Sequence, residues 1–598
     1  MKKYNTLIIG SGCAGFCAAK RLFDLGITDI ALVTEGINMG TSRNTGSDKQ
    51  TYYKLSLCGS DGDSVREMAQ TLFDGGAVNG DIALSEAASS VRAFMHLVEL
   101  GVPFPTNEYG EYAGYKTDHD PRTRATSCGP LTSKYMTEAL EKAVRARNIE
   151  IIDGLRVIKI LTDEQGGKSE VCGLAAVNAR GDVTTLQSEN VILATGGPAG
   201  IYENSVYPES QTGATGLAIE AGALCANLEE WQYGLASTKF RWNLSGTYMQ
   251  VLPKFYSVGS NGKKREFLYD ALGKKSLDMI FLKGYQWPFD VRKTDGSSRV
   301  DLLCAAEIKA GRRVFIDYTQ NPTGLDDDFS VLSDEAHSYL EKSGALFGTP
   351  IERLKKMNAG AIELYASHDI NLYNEPLEAA ICAQHCNGGV DVDENRQTLV
   401  RGLFCIGEAA GTFGVYRPGG SALNSTQVGA LRAAQYIAEN KKTADARAAE
   451  FSLPEISYGE SNVREKLLEI RHEMSLFADF ERNTEKIRVL LERDKELLEN
   501  FFREVRIAGK HELTELFILR DALTTQISVL SAMLFSGENI GSHGSAFVDG
   551  MKPTSTEKRT EQTITERDTS YFRPVRPLPD PELWFETLLA RQREKNKQ

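Results

Sequence analysis

Three glycines near the N-terminus, Gly10, Gly12 and Gly15, have the spacing of a Gly-x-Gly-x-x-Gly motif. In such a motif the first glycine allows a tight turn, the second lets the backbone approach a pyrophosphate, and the third permits close packing of a helix on a strand. The phosphates would lie at a helix N-terminus, where unpaired N–H groups and the helix dipole favour negative charge. The chemistry indicated is therefore the binding of a dinucleotide.

The residues around the glycines supply the elements that this chemistry needs. Tyr4 to Ile9 is a short apolar run typical of a buried strand, and Ala14 to Leu25 has a helical apolar period. A second apolar run, Ile30 to Val33, leads to Glu35, which follows the glycines by roughly 20 to 25 residues and can accept a hydrogen bond from a ribose hydroxyl. A third run, Asn190 to Gly197, again ends in glycines. Together these patterns predict a dinucleotide-binding α/β unit.

Metal-binding chemistry is only weakly indicated. Cys382, His385 and Cys386 are residue types that bind metals, but no complementary set of ligands occurs elsewhere, so we predict no metal site. The sequence has neither a Cys-x-x-Cys-His motif for covalent haem nor the cysteine spacing of an iron–sulfur protein. Its ten cysteines are expected to be reduced thiols.

Length and charge limit the class of protein further. A chain of 598 residues is too long for one core and indicates several domains. The net charge of −13 and the lack of a basic stripe exclude nucleic acid as a partner. No apolar stretch approaches the ~20 residues that a membrane-spanning helix needs, so we expect no membrane span and a cytoplasmic location.

Periodicity indicates where helices and strands lie outside the glycine motif. Asp63 to Leu100 is expected to form two helices, and Val171 to Leu186 a β-hairpin. Val463 to Arg506 and His511 to Leu534 predict an antiparallel helical bundle. Residues 551–598 carry prolines and charges, and we expect them to wrap over the surface with Trp584 and Phe585 as anchors.

The glycine motif, Ala194 to Gly197 and above all Gly402-Leu-Phe-Cys-Ile-Gly-Glu-Ala-Ala410 resemble the flavoprotein subunits of fumarate reductase and succinate dehydrogenase, and their relative aspartate oxidase. Asn387 to Asp393, Arg417 to Gly420 and Ser536 to His543 follow in the order of that family. The resemblance implies an α/β fold, in which a Rossmann-like FAD-binding domain is interrupted by an α+β capping domain and followed by a C-terminal helical domain. The expected bounds are 1–236 and 345–445 for the two parts of the FAD-binding domain, 237–344 for the cap, 455–550 for the helical domain and 551–598 for a tail.

The same resemblance implies which residues hold FAD. They are Gly10, Gly12, Gly15 and Glu35 at the pyrophosphate and adenosine ribose, Val157 at the adenine, Glu408 at the ribityl chain, Leu423 beside the isoalloxazine, and Ser42, Ala194, Thr195 and Gly196 along the cofactor. Respiratory members carry a histidine in the region of Thr41 to Arg43 that bonds covalently to the flavin. No histidine occurs there, so we expect non-covalent FAD. Thr212 to Gly216 also lacks the aspartate that the family has in this segment.

On the substrate side the resemblance implies Arg417, Arg299 and His385 as catalytic residues. Arg417 matches the arginine of an Arg-x-Gly-Gly motif, and Arg299 is the best match for the proton donor, with Arg292 and Arg313 as alternatives. The family's two histidines are not in register. Gly234 stands at the first position, and at the second Gln384 precedes His385, which comes one residue late.

These differences argue against fumarate or succinate as the substrate, because a charged hydrogen bond contributes about 1.5 to 3 kcal/mol. The expected function is an FAD-dependent oxidoreductase that transfers a hydride between flavin N5 and another small polar or anionic molecule, bound between cap and FAD-binding domain. Three alternatives stay open at this point. They are a subunit that passes electrons to a separate iron–sulfur protein or other carrier, an amino-acid oxidase similar to aspartate oxidase, and a flavin-binding scaffold or sensor without activity.

Overall fold

The structure is a computed structural model, which describes residues 3–60, 62–165, 168–325, 329–440, 450–549 and 558–595. The strands of its first third are β1 (Lys3–Ile9), β2 (Ile30–Thr34), β3 (Thr51–Tyr53), β4 (Ala125–Ser127), β5 (Glu150–Asp153), β6 (Leu155–Gln165), β7 (Lys168–Asn178) and β8 (Val183–Leu193). The helices of this part are α1 (Cys13–Asp24), α2 (Thr41–Asn44), α3 (Val65–Asp74), α4 (Gly80–Glu99), α5 (Thr132–Ala146) and α6 (Thr215–Glu220).

The middle of the chain alternates short strands with helices. Its strands are β9 (Cys225–Ala226), β10 (Trp231–Ser237), β11 (Trp242–Asn243), β12 (Lys254–Val258), β13 (Lys264–Arg265), β14 (Arg313–Asp317), β15 (Leu377–Cys386), β16 (Gly389–Val390) and β17 (Leu403–Cys405). Its helices are α7 (Thr247–Gln250), α8 (Phe267–Leu272), α9 (Lys275–Leu282), α10 (Ser298–Lys309), α11 (Asp334–Lys342), α12 (Pro350–Ala366) and α13 (Ser421–Glu439).

The central sheet has seven strands and carries the glycine motif. β1 pairs in parallel with β2 and β8, and β17 pairs in parallel with β8. In this register Ile9 lies opposite both Val33 and Leu193, and Leu193 lies opposite Cys405. The carboxyl ends of these four strands therefore meet at one edge, which is where open α/β sheets bind their ligands.

The predicted strand and helix around the glycines are present as β1 and α1. The predicted hairpin is present as β7 and the first half of β8, and the predicted run from Asn190 is the second half of that same strand, β8. Its first half pairs antiparallel with β7 and its second half pairs parallel with β1. The residues between Leu186 and Asn190 contain no glycine or proline, so nothing in the sequence ends the strand there.

A second sheet of six antiparallel strands, in the order β11-β10-β15-β14-β12-β13, contains the strands of the segment predicted as the cap, 237–344. It also contains β10 and β15, most or all of whose residues lie outside that segment. β10 and β15 pair with each other along most of their length, with Leu235 opposite Ile381, and β15 also pairs with β14. The chain thus enters and leaves this sheet on two hydrogen-bonded strands.

The C-terminal part is helical, as predicted. It contains α14 (Val463–Phe477), α15 (Thr484–Glu499), α16 (Phe501–Glu504), α17 (Leu513–Asn539) and α18 (Phe585–Lys595), with the strands β18 (Ser457–Tyr458), β19 (Glu481–Arg482), β20 (Arg506–Ile507), β21 (Ala546–Phe547), β22 (Glu561–Glu566) and β23 (Thr569–Pro574). α17 lies at its centre and packs on α14, α15 and α6.

One segment, Lys510–Asn539, is long and apolar enough to cross a membrane by length and composition, with a mean hydropathy of 1.2 in its most apolar window. The expectation that no such stretch exists was therefore wrong. The structure explains the composition, because 94% of that window is buried inside the fold. A helix packed on several sides needs apolar residues all round. The cytoplasmic location stays a prediction.

The predicted tail, 551–598, contributes strands to a sheet and does not only lie on the surface. β22 pairs with β9 and β23, with Ile564 opposite Ala226, in a four-stranded sheet completed by β16. Trp584 and Phe585 do not anchor it, because they are 66% and 65% exposed. The predicted boundaries at residues 445 and 550–551 lie outside the described residues.

Candidate active site

A long cavity follows the carboxyl ends of β1, β2, β8 and β17 and ends against side chains from β11 and β15. The predicted FAD residues that line it are Gly10, Gly12, Glu35, Ser42, Val157, Ala194, Thr195, Gly196, Glu408 and Leu423. Gly15 is outside this lining and lies behind Gly10. The fold thus brings together residues that are far apart in the chain.

The glycine loop has the geometry that a phosphate-binding turn requires. Gly10 has a φ of +109°, and a Cβ added to it would lie 2.5 Å from Ala194 O. A Cβ on Gly15 would lie 2.0 Å from Gly10 O, so only glycine lets α1 approach the strand this closely. Gly12 caps α1 without a side chain, and the Cys13 N–H donates to Ser42 Oγ over 3.2 Å. The N-terminus of α1 is therefore open to an anion.

The far end of the cavity matches the adenosine end of FAD. Arg156 Nη1 lies 3.2 Å from Glu35 Oε2, and the same guanidinium donates to Thr212 Oγ1 and to Gly213 O. Farther along the cavity the buried hydroxyl of Thr195 has no hydrogen-bond partner among the described residues. A buried polar atom without a partner is costly, and the polar chain of a dinucleotide would satisfy it. The residues present therefore fit FAD.

The C-terminal domain supplies a carboxylate next to the segment that lacks the family's aspartate. Asp521, on α17, accepts a hydrogen bond from the Leu217 N–H over 3.0 Å, at the start of α6. Its Oδ1 lies 2.8 Å from the position that a Cβ on Gly216 would take. Burial raises the pKa of Asp521 to about 7. Sequence reasoning missed this residue, because it lies 304 positions from Leu217 in the chain, in a different domain.

The raised pKa of Asp521 predicts a pH-dependent effect of Asp521→Asn on stability. The ordinary pKa is 3.8 and the folded value about 7, so the folded protein binds the proton more tightly than the unfolded chain between these values. Stability therefore falls as pH rises through this window, by an amount on the order of a few kcal/mol. Asparagine keeps the shape and an acceptor for Leu217 but does not titrate.

We expect the apparent Tm of the variant, relative to wild type, to be higher at about pH 8 than at about pH 5. Differential scanning fluorimetry at the two pH values measures this difference. The control is Asp295→Asn at an exposed site, for which the difference should not change with pH. An Asp521→Asn variant that behaved like this control would show that Asp521 is ionised throughout the range.

At the other end of the cavity, Glu408 accepts two hydrogen bonds. Its Oε1 accepts hydrogen bonds from the Tyr207 hydroxyl and, over 3.1 Å, from the Cys386 N–H, and it lies 3.8 Å from His385 Nε2. Burial raises the pKa of Glu408 to about 7. Tyr207 has no motif around it and was not predicted.

His385 does reach the cavity in spite of its one-residue shift. Its Nδ1 lies 3.0 Å from Asn387 Oδ1, and because Asn387 uses its own Nδ2 to donate to Val415 O, the histidine carries its proton on Nδ1. Burial, together with the nearby charge of Arg417, lowers the pKa of His385 well below its ordinary value. The imidazole is therefore neutral, and Nε2 is an acceptor without a hydrogen-bond partner among the described residues.

Arg417 also lines the cavity, where burial lowers the pKa of its guanidinium to about 10. Within the part of the chain that the structure describes, its side chain makes no ion pair, and its buried Nε has no hydrogen-bond partner. Its guanidinium lies 5.8 Å from the Phe413 ring centroid. A cation in such a place is costly unless an anion binds to it.

Arg299 is not brought to this site. Its side chain is exposed on α10 and outside the cavity lining. Of the two alternatives, Arg313 is on the surface with Glu378, whereas Arg292 pairs with Asp290 and stacks 3.7 Å above the ring centroid of Tyr416, the neighbour of Arg417. Arg417 is the candidate arginine that faces the cavity. As for metals, no cluster of three or more His, Cys, Asp or Glu that could hold an ion occurs within the described ranges.

Comparisons with known proteins show the family and the fold of the chain. A sequence profile described as FAD binding domain matches residues 5–423, more than half of the chain. One subunit of the fumarate reductase (CoM/CoB) of Methanothermobacter marburgensis is 28% identical over 451 residues, 74% of each chain. L-aspartate oxidase of Streptomyces coelicolor is 25% identical over 446 residues, 73% of this chain and 68% of that protein.

Among solved structures, FrdA of the E. coli quinol fumarate reductase superposes with a TM-score of 0.70. It is 18% identical, and the match covers 97% of this chain and 98% of FrdA, which shows a shared fold. The predicted resemblance, α/β fold and FAD cofactor are confirmed. The chain belongs to the FAD-binding-domain family and is an FAD-dependent oxidoreductase related to L-aspartate oxidase and to fumarate reductase (CoM/CoB).

Proposed function

We propose that this enzyme transfers a hydride between flavin N5 of non-covalently bound FAD and a small organic anion other than fumarate or succinate. The observation that carries the proposal is Arg417, whose partly buried guanidinium lines the cavity with no ion pair among the described residues. It lies at the end of the cavity away from Glu35, and so on the side expected for the flavin ring.

FAD, when bound, supplies two-electron chemistry, in which a hydride at N5 and one proton from solvent convert a C=C bond to CH–CH, or the reverse. The residues of the chain bind and orient the substrate. Arg417 binds a carboxylate and stabilises the negative charge that develops next to it. His385 Nε2 accepts a hydrogen bond from the substrate, and its ring is held by Asn387 on one side and by Phe413, at 4.9 Å, on the other.

The lining argues against a dicarboxylate. Within the described residues its cationic side chains are Arg156 and Arg417, and Arg156 is already paired with Glu35. Gly234 and Gln384 offer no positive charge, and His385 is neutral. A second carboxylate would therefore lose its solvation without gaining a charged partner.

Amino-acid oxidation is a second candidate function. It is favoured by the acceptor atoms near Arg417, His385 Nε2 and Gln384 Oε1, which have no hydrogen-bond partners in the described part of the chain and would suit an amine. The relatives that are L-aspartate oxidases support the same reaction class. Because one relative is named as a subunit of a fumarate reductase, we also propose that a separate protein, iron–sulfur or other, exchanges electrons with the flavin.

The experiment that tests this proposal is the visible spectrum of the purified protein before and after acid precipitation. We expect a yellow supernatant, because no histidine follows Ser42 to hold the flavin covalently. The protein is then reduced anaerobically with dithionite and mixed with fumarate, aryl-substituted unsaturated acids or, in its oxidised form, amino acids. Reoxidation by an unsaturated acid other than fumarate supports the proposal, bleaching by an amino acid supports the second candidate, and colour in the pellet contradicts non-covalent binding.

A further inference from the structure

We propose that the substrate is a monocarboxylate whose other end is flat, apolar and carries a hydrogen-bond donor, and that Trp287 selects for that end. This inference rests on the proposed function and adds the class of substrate. Three observations support it. Within the described residues, Trp287 lies against Gly234, acceptor atoms without partners lie in the same cavity, and the cavity has one cationic side chain that is not already paired.

Trp287 lies against Gly234, the position at which the family has a histidine. A Cβ added to Gly234 would lie 3.0 Å from Trp287 O, 3.1 Å from the indole Cε3 and 3.1 Å from Gln384 Nε2. A side chain at this position would therefore require Trp287 or Gln384 to shift by a few tenths of an ångström. Trp287 also lines the cavity. An aromatic residue thus lies next to the position at which the family has a histidine.

Hydrogen bonds fix the backbone at and near Trp287. Lys283 Nζ donates to Trp287 O over 2.6 Å and pairs with Asp301 over 2.7 Å, and both side chains are buried to 1% exposure or less. Two residues later, the Phe289 N–H donates to Tyr233 O on β10 over 2.7 Å. These contacts fix the backbone that carries the indole, and an anchored aromatic side chain has few torsions to immobilise when it contacts a ligand. Its ring suits a planar or apolar group.

Three buried polar atoms of side chains that line the cavity together with Trp287 and Arg417 are acceptors without a hydrogen-bond partner among the described residues. Gln384 donates its Nε2 to Leu235 O over 3.3 Å and leaves Oε1 without a partner. His385 Nε2 and Asn243 Oδ1 are buried and have no partner among the described residues either. These atoms would repel a carboxylate but would bind the hydrogen of a hydroxyl, amine or amide group. A substrate that fills this end with a donor satisfies atoms that are otherwise unpaired.

The number of unpaired cationic side chains in the cavity indicates that the substrate carries one carboxylate. Arg417 is the cationic side chain in the described lining that is not already paired. Neutral His385 adds none. A monocarboxylate places its charge on Arg417 and its apolar part on Trp287, whereas a dicarboxylate must place its second charge among acceptors. The cavity thus favours a monocarboxylate over a dicarboxylate in two ways. Arg417 attracts the first carboxylate, and the acceptor atoms repel a second one.

The test measures binding of saturated acids to the oxidised, FAD-loaded enzyme through the rapid change in flavin absorbance that precedes any reduction of the flavin. The ligands are phenylpropionate, para-hydroxyphenylpropionate and succinate. We expect both aryl acids to bind at least about tenfold more tightly than succinate, and the hydroxyl group to add about a further fivefold. In Trp287→Ala, binding of the aryl acids should weaken about tenfold and binding of succinate should change less than about twofold.

Trp287→Phe keeps an aromatic wall and should retain affinity for the aryl acids within about threefold. The matched control is Trp584→Ala, which removes an exposed tryptophan from the C-terminal region and should change nothing. Tighter binding of succinate than of the aryl acids by wild type would overturn the proposal, and so would an equal loss of all three ligands in both Trp287 variants. Flavin content and dithionite reduction of each preparation test the FAD-dependent function separately. If the protein binds FAD that dithionite can reduce but does not discriminate between these acids, the proposed substrate class is wrong and the FAD-dependent function still stands.

Discussion

Replacement of Arg417 by glutamine is expected to leave FAD bound and reducible but to lower kcat/KM by about 100- to 1,000-fold. The guanidinium faces the cavity without an ion pair in the described residues, and burial lowers its pKa to about 10. An anion that binds there gains a charged partner in a site of low polarity, where such contacts are strongest. Glutamine keeps hydrogen-bonding capacity but removes the charge.

Anaerobic single-turnover measurements with the dithionite-reduced enzyme separate the loss of substrate binding from the loss of flavin. The control is Arg488→Gln, which should retain activity within about twofold, because Arg488 is an exposed arginine of the C-terminal helices that pairs with Glu538.

Arg299→Gln tests the assignment made from the sequence resemblance. Because Arg299 is exposed and lies outside the cavity, we expect its activity to be retained. A larger loss in Arg299→Gln than in Arg417→Gln would reverse the two assignments.

Gly10→Ala is expected to yield protein that has lost FAD, with an affinity for added FAD at least about 100-fold weaker than wild type. Gly10 has a φ of +109°, and its new Cβ would lie 2.5 Å from Ala194 O and 3.0 Å from Ala194 C. Both contacts are with backbone, and the preceding residues Ile9 and Leu193 are paired in the sheet. The clash is relieved only by separating the strand ends between which the pyrophosphate would bind.

Gly26→Ala is a matched control, because Gly26 follows the same helix and has a φ of +85°, but its Cβ would meet no atom within 4 Å. It should cost about 1 kcal/mol of stability from backbone strain and leave FAD binding unchanged. Flavin absorbance per protein and fluorescence titration with FAD compare the two variants. Full FAD occupancy in Gly10→Ala would show that this edge of the sheet does not hold the cofactor.

The residues predicted for the nucleotide end can be named from the sequence for a physical reason. Their determinants are local, since Gly10 and Gly12 lie in the turn between a strand and a helix, Gly15 lies in the first turn of that helix, and Glu35 follows the next strand. Spacing along the chain is then enough to place them. The apolar runs that form β1 and β2 are short, buried on both faces and bounded by turn residues, which makes the strands easy to recognise.

Other features misled sequence reasoning because they depend on pairing between distant segments. β8 is one strand although its two halves have different partners. The apolar composition of α17 is explained only by the helices that cover it. β22 in the tail is buried because β9 lies beside it, whereas Trp584 and Phe585, which were predicted to be anchors, are mostly exposed.

By itself the sequence determined the fold class, the FAD cofactor and the absence of the family's histidines from their usual register. The tertiary structure decided the substrate end. Trp287 comes from a loop after α9, His385 from β15 and Arg417 from the segment before α13, and no local pattern relates them. Whether an arginine such as Arg299 or Arg417 faces a cavity depends on which helix or loop carries it and how that element packs. Charge, burial and the partners of a side chain are properties of the folded molecule, so they could be known only from it.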